Sequence, residues 1–399
     1  MPPPVSGRAA PASSATCQGS LAEAARGAFA LGEALDWRSY DRDDILLSPL
    51  TRPLIDVSPF AARVVLQIGR RSGWRVRRLL RIRPHEEPKA LADFLQAAVL
   101  LARGRERWAA SYVGALSERL RRAAVPTSAG YGWGVRYPWV SRFGTTAADE
   151  PNMYTTTVAC RALLDAHELQ HDQPSLDVAL CGVDQILGGL GSFTHRGLTW
   201  LRYTAGADNP IVNIQSSAAS LFARIADYRG PELLEAADRA AETVIASQRR
   251  DGSWTYSIDG RGDFVDGFHS GFTLEGLQGY ADRRGANAVP GTHGALAAGL
   301  GYFKEHLLTS GGLPRGFADK AVSFDGQNVA QAIQTLLVCG NATEVESAAR
   351  IWTLGFERLR LDDMRFAALR WSIGPFVVAT ARLIEAAATP DSTRPRRDA

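Results

Sequence analysis

A tandem repeat of helical pairs limits this chain's fold more than any other feature. From Gly130 onward, five segments share one form: a polar, aromatic loop, a small-residue-rich helix, a short turn, and a second, more charged helix. The loops GYGWGVRYPWVSRFG, SFTHRGLTWLRYTAGADNP, DGSWTYSIDGRGDFVDG, GGLPRGFADKAVSFDG and RLDDMRFAALRWSIG each run into an apolar-periodic helix. The anchoring leucines Leu164, Leu221, Leu277 and Leu336 recur at roughly 60 residues, wider than short helical solenoid units. Outer partner helices are predicted at about 174–190, 231–248, 291–307 and 342–356, and three more helices precede the repeats at about 59–71, 88–101 and 106–122. That makes about six hairpins. An open solenoid needs polar capping repeats at both ends, and none is evident. The expectation is an all-α (α/α)6 toroid, one domain over 21–388, with its long loops gathered at one end.

The 399 residues are 45% hydrophobic and 22% charged, enough apolar surface for a large core. A net charge of +3 does not call for nucleic acid. Cys17, Cys160, Cys181 and Cys339 are scattered, with no CxxC pair for zinc and no disulfide framework, so a reducing, cytoplasmic setting is expected. Residues 1–20 read as a disordered leader and not a signal peptide, and 389–399 as a disordered tail. No apolar run approaches the roughly 20 residues that span a bilayer. One basic run, GRRSGWRVRRLLRIR (69–83), reads either as a solvated face or as a peripheral contact with an anionic polymer or an acidic membrane surface.

Chemistry concentrates in Gln248–Tyr280, too long and too rich in functional groups for a mere connector. Asp266 and His269 stand at i and i+3 where a helix begins, on one side of it, and read as a general acid/base pair. The alternative is an N-cap aspartate beside a packed ring. Asp259 and Asp263 are further carboxylates for glycosidic chemistry, and Arg261 could hold a substrate carboxylate. Trp254 and Tyr256 can stack on sugar faces, as can Trp139, Tyr203 and Trp371 in the other loops, unless such repeated aromatics are packing plugs. Arg142 and Arg370 are candidate anion clamps, and Asn213 and Asp325 candidate hydroxyl binders. Asp41 and Asp44, within D-x-D-D, are further catalytic candidates and read as pocket-rim acids, or else as turn and cap residues. The dispersed histidines give no metal-ligand spacing, so neither metal nor cofactor is expected.

SYDRDDILLSPL, GWGVRYPWVSR, TTTVACRALLDAHE, DGSWTYSIDGRGDFVDGFHSGF and the ALRW ending at Trp371 resemble a family of bacterial six-hairpin toroids of capsular and exopolysaccharide biosynthesis, often labelled prenyltransferase or squalene-cyclase-repeat proteins. Relatives often carry Asn where Gly267 stands, and Y-D-P-Y-D where this chain has Tyr40-Asp41-Arg42-Asp43-Asp44. The resemblance implies the toroid and a saccharide context, and the expected partner is a saccharide or polysaccharide substrate. Three readings follow: a hydrolase, lyase or uronate epimerase acting on a glycan intermediate; an isoprenoid-handling cyclase or prenyltransferase using D-x-D-D; and a non-catalytic saccharide-binding scaffold.

Overall fold

The computed structural model describes residues 14–388 apart from Arg105, Arg142 and 363–367. The chain enters α1 (Ser14–Ala34) and crosses a covering region of α2 (Leu54–Val57), α3 (Pro59–Gly69) and α4 (Trp74–Leu79). Inner and outer helices then alternate: α5 (Pro88–Arg103), α6 (Ala110–Arg122), α7 (Met153–Gln170), α8 (Gln173–Asp184), α9 (Val212–Arg229), α10 (Glu232–Ala246), α11 (Gly267–Arg284), α12 (Thr292–Tyr302), α13 (Gly326–Cys339), α14 (Ala342–Asp362) and α15 (Gly374–Ala388). The odd-numbered helices from α5 to α15 pack each on the next, and α15 packs back on α5, which closes a ring of six. The even-numbered helices from α6 to α14 form the outer layer, and α1 takes the sixth outer place against α15. The architecture is an (α/α)6 toroid whose first and last long helices make its closing hairpin.

Two expectations need correcting. Residues 14–20, expected to be disordered, form the first turns of α1; 1–13 and 389–399 lie outside the described residues. The helix expected at 59–71 is present as α3, but it takes no place in the ring. Its place there goes to α1, whose Leu21, Ala25 and Phe29 are buried at a spacing of four. That spacing was legible in the sequence.

Three of the inner helices, α7, α11 and α13, start where a side chain satisfies a free N–H group. Asn152 accepts from the Thr155 N–H at 2.9 Å and Asp266 from the His269 N–H at 2.8 Å. Asp325 accepts from the Gln327 N–H at 3.1 Å. Buried on almost every side, α9 and α13 sit as inner-layer helices must, between outer helices and the axis. The glycines of α11 cost helix propensity but let α9 approach closely: a Cβ on Gly276 would sit 2.5 Å from the Ser216 backbone. Gly276→Ala is therefore expected to lower stability in chemical denaturation by about 1–3 kcal/mol, the usual penalty of overpacking, despite alanine's better propensity.

Two loops carry three short antiparallel hairpins: β1 (Val125–Pro126) with β2 (Tyr131–Gly132) and β3 (Trp139–Ser141) with β4 (Gly144–Thr146) between α6 and α7, and β5 (Ser192–His195) with β6 (Leu198–Leu201) between α8 and α9. Trp133 and Trp254, at matching loop positions, are buried and donate their indole N–H to the carbonyls of Leu120 and Val244, near the ends of outer helices, each at 2.9 Å. They are inter-repeat plugs. The covering region has its own small core of Ile45, Leu46, Ala62, Leu66 and Val140. The buried Arg77 ties it together, bonding the Asp44 carboxylate at 2.7 Å and the carbonyls of Asp41, Arg42, Gly69 and Ser72.

Candidate active site

The inner helices all begin at one end of the ring, and residues from the first turn of each, or just before it, line a single cavity of about 940 Å³. Lys89 comes from α5, Tyr154 from α7, Asn213 from α9, His269 from α11, Asn328 from α13, and Arg370 and Trp371 from the turn that enters α15. One wall is the β3–β4 hairpin with Trp139 and Phe143, and another is the face of α3 carrying Arg63, Leu66, Gln67 and Arg70.

His269 and Asp266 both line this cavity. Asp266 is 3% exposed and works twice: one carboxylate oxygen caps α11, and the other meets His269 Nδ1 at 2.7 Å. The N-cap alternative is therefore observed, and the same residue also hydrogen-bonds the His269 ring. A carboxylate on Nδ1 fixes the neutral ring as the Nδ1–H tautomer and leaves the Nε2 lone pair as its basic position. The ring is held between Tyr256 and Phe268, with centroids 4.4 and 4.3 Å away, and Phe264 and Phe272 stand further off. Contact with these rings and the bond to Asp266 together hold the imidazole in place.

Of the other proposed binders, Tyr256, Trp139, Tyr203, Asn213, Asp325, Arg370 and Trp371 line the same cavity. Burial pushes the Tyr203 phenol up to about 12 and Tyr256 further, so near neutral pH both act as phenols that stack and hydrogen-bond. The Asn213 side-chain oxygen is buried with no hydrogen-bond partner among the described residues, an acceptor in the cavity lining that a ligand hydroxyl can satisfy. Asp325 is occupied: it accepts the Trp371 indole N–H at 2.8 Å and the Arg42 guanidinium at 2.8 Å, while Arg42 lies over the Trp371 ring at 3.7 Å.

Four candidate acids lie elsewhere. Asp41 and Asp44 are 1% and 0% exposed and do not line the cavity, which corrects the pocket-rim reading. Arg370 grips Asp41 through two hydrogen bonds of 2.6 and 2.8 Å, and the Tyr137 hydroxyl donates to Asp41 at 3.1 Å. Burial opposes the charge on Asp41, but Arg370 outweighs it and holds the carboxyl well below its usual range. Burial dominates at Asp44 and pushes it up to about 6 in spite of Arg77. Asp43, the central acid of D-x-D-D, pairs with Arg70 at 2.5 Å and offers the cavity no free acid. Asp259 and Asp263 belong to a separate recess of about 700 Å³. There Asp259 is tied to Ser257 and Arg261, and Arg261 reaches back to Asn209 at 2.6 Å. Arg261 and Trp254 do not line the main cavity, and Arg142 lies outside the described residues.

Several cavity residues escaped the sequence reading. Lys89 pairs with Asp93 at 2.6 Å; burial pulls the ammonium down from its ordinary value and pushes the carboxyl up, each against the other's charge. The pair stands at i, i+4 in a helix, and that spacing was its signal. Phe268 and Phe272 also share a spacing of four, on either side of His269. Gly267, where Asn was anticipated, is explained by the neighbouring helix: a Cβ there would lie 2.3 Å from the Asn328 side-chain oxygen.

Ring closure, short loop hairpins and a cavity at the inner-helix N-termini define a protein of the (α/α)6 six-hairpin, glycosidase-like architecture. The chain is similar to solved structures of that fold. A cellobiose 2-epimerase from Bacillus thermoamylovorans matches with a TM-score of 0.56 at 10% identity, over 76% of this chain and 89% of that one. A sugar epimerase from a ruminal bacterium gives 0.55 at 10% identity, over 75% and 87%. An α-1,6-mannanase from Salegentibacter sp. gives 0.54 at 12% identity, over 76% and 90%. At such identities the likeness is one of fold. No family model matches the chain. No curated protein matches it either.

Proposed function

We propose that the protein is a carbohydrate-active enzyme that transfers a proton at a carbon of a sugar ring, as an epimerase or lyase does, with His269 as the acid/base and Asp266 as its positioning residue. The observation that carries this reading is the Asp266–His269 dyad, fixed in an aromatic box on the cavity wall. Aromatic faces beside buried amides suit a ligand with C–H faces and hydroxyl edges, and the cavity volume is that of a small-molecule site. Two of the similar structures are sugar epimerases and one is a mannanase, which supports a saccharide ligand. Hydrolysis by two carboxylates has less support, because Asp266 is committed to His269 and Asp325 to Arg42 and Trp371, which leaves Glu150, an acceptor for the Ala147 N–H, as the other carboxylate in the cavity lining. The sugar carboxylate or carbonyl expected beside the abstracted proton would meet Arg370 or Lys89, the cations lining the cavity from α5 and the α15 turn.

The test is a screen of neutral and uronic oligosaccharides by calorimetry and turnover. The expected result is a saccharide whose KM rises about tenfold in Asn213→Ala and in Trp139→Ala, the loss of roughly one good hydrogen bond or stacking contact. Binding of no saccharide, or affinities unmoved by either substitution, would refute the reading.

A further inference from the structure

We infer that α2–α4 form a docking surface for an anionic lipid bilayer, set beside the mouth of the cavity. Residues 50–83 contain nine arginines and one acidic residue, Asp56, a net +8 in a chain whose total is +3, so the rest of the chain is net negative. Arg77 is consumed inside the covering region and Arg70 is paired with Asp43, but Arg52, Arg71, Arg75, Arg78, Arg81 and Arg83 are exposed. This charge does not come from an evenly charged molecule; it is segregated onto one element.

Large apolar side chains share the surface. Val57, Phe60, Ile68 and Leu79 are 80%, 69%, 59% and 79% exposed, and Leu50, Val64, Trp74 and Val76 are exposed as well. Phe60, Val64 and Ile68 fall at i, i+4 and i+8, one stripe of α3, while Ala62, Leu66 and Gly69 on the same helix are buried. One helix thus seals the small core and the cavity wall with one face and offers bare hydrocarbon to solvent with another. Single exposed apolar residues are ordinary, but so many within about thirty residues mark an interaction surface. Apolar residues that insert at an interface, framed by arginines that attract phosphate headgroups, form the combination that holds peripheral proteins on anionic membranes. A soluble polyanion would use the arginines and leave Phe60, Ile68 and Leu79 in water, and a second copy of the same basic surface would repel. The charge therefore selects an acidic bilayer as the occupant. Because Arg63, Gln67 and Arg70 on α3 line the cavity, docking would bring the cavity mouth to the membrane surface.

The experiment is cosedimentation of the full chain with vesicles of phosphatidylcholine alone and of phosphatidylcholine with phosphatidylglycerol, at about 0.1 M salt, where charges within roughly 10 Å still act. Binding is expected on the anionic vesicles only. It should fall at least tenfold in Phe60→Ser/Ile68→Ser/Leu79→Ser and again in Arg71→Glu/Arg75→Glu/Arg78→Glu, with the circular dichroism of each variant unchanged. Three results would overturn the inference: no binding to anionic vesicles, equal binding to neutral ones, or a binding loss in the arginine variant alone. A concentration-dependent dimer that the serine variant abolishes would assign the apolar stripe to self-association and also overturn it. None of these outcomes depends on the nature of the cavity ligand.

Discussion

Asp266→Asn is expected to lower kcat on the saccharide substrate by about 10²–10⁴-fold, the usual contribution of a positioned acid/base group, while leaving the thermal midpoint nearly unchanged. The two effects separate because Asp266 has two tasks. Asparagine caps a helix about as well as aspartate, so the start of α11 survives. Its amide, however, can donate to His269 Nδ1, which then becomes the acceptor and moves the ring proton to Nε2, removing the base from the cavity. His269→Gln should match the loss in kcat, and the double variant should be no worse than either alone, because the residues act as one unit. A measured kcat within threefold of the parent would assign Asp266 to capping alone.

Asp41→Ala is expected to cost about 3–5 kcal/mol in denaturant unfolding, the penalty for leaving a buried charge without its partner. Arg370 would lose both of its short bonds and stay 8% exposed beside the α15 turn, where the ring closes. The penalty should depend on pH. In the folded chain the Asp41 carboxyl titrates below its ordinary value of 3.8, so the stability it contributes is fully present above about pH 4 and lost as the pH falls further. The gap between parent and variant should therefore narrow below pH 4. Asp44 has the opposite sign: raised to about 6, it favours the folded state below its ordinary value, and that contribution is lost as pH rises through 6. A gap that stayed constant from pH 7 to 3 would deny the Asp41–Arg370 pair its electrostatic role.

The hairpin repeat was legible because small residues and leucines recur with helical period at a fixed interval, and ring closure followed from the missing polar caps. The sequence could not show that α1 supplies the sixth outer helix, since that pairing joins residues more than three hundred positions apart. The placement of Asp266, His269, Tyr256 and Trp139 on the cavity was legible because local structure carries the signal: an aspartate before a helix with a histidine three residues on, and aromatics at loop tips. Asp41, Asp44 and Trp254 misled for a physical reason. A carboxylate or an indole looks the same in sequence whether it faces a cavity or is buried against an arginine or a carbonyl, and only its partners, Arg370, Arg77 and the Val244 carbonyl, tell the two apart. Asn213 lay between these cases: its position at a helix start was visible, but its unsatisfied oxygen was not.

The most direct measurement is turnover of the saccharide substrate in D2O, followed by proton NMR of the recovered sugar. Deuterium at one ring carbon, present with the parent chain and absent with Asp266→Asn and His269→Gln, is the predicted result. Turnover that leaves every ring C–H unlabelled, or labelling that persists without His269, would contradict the account.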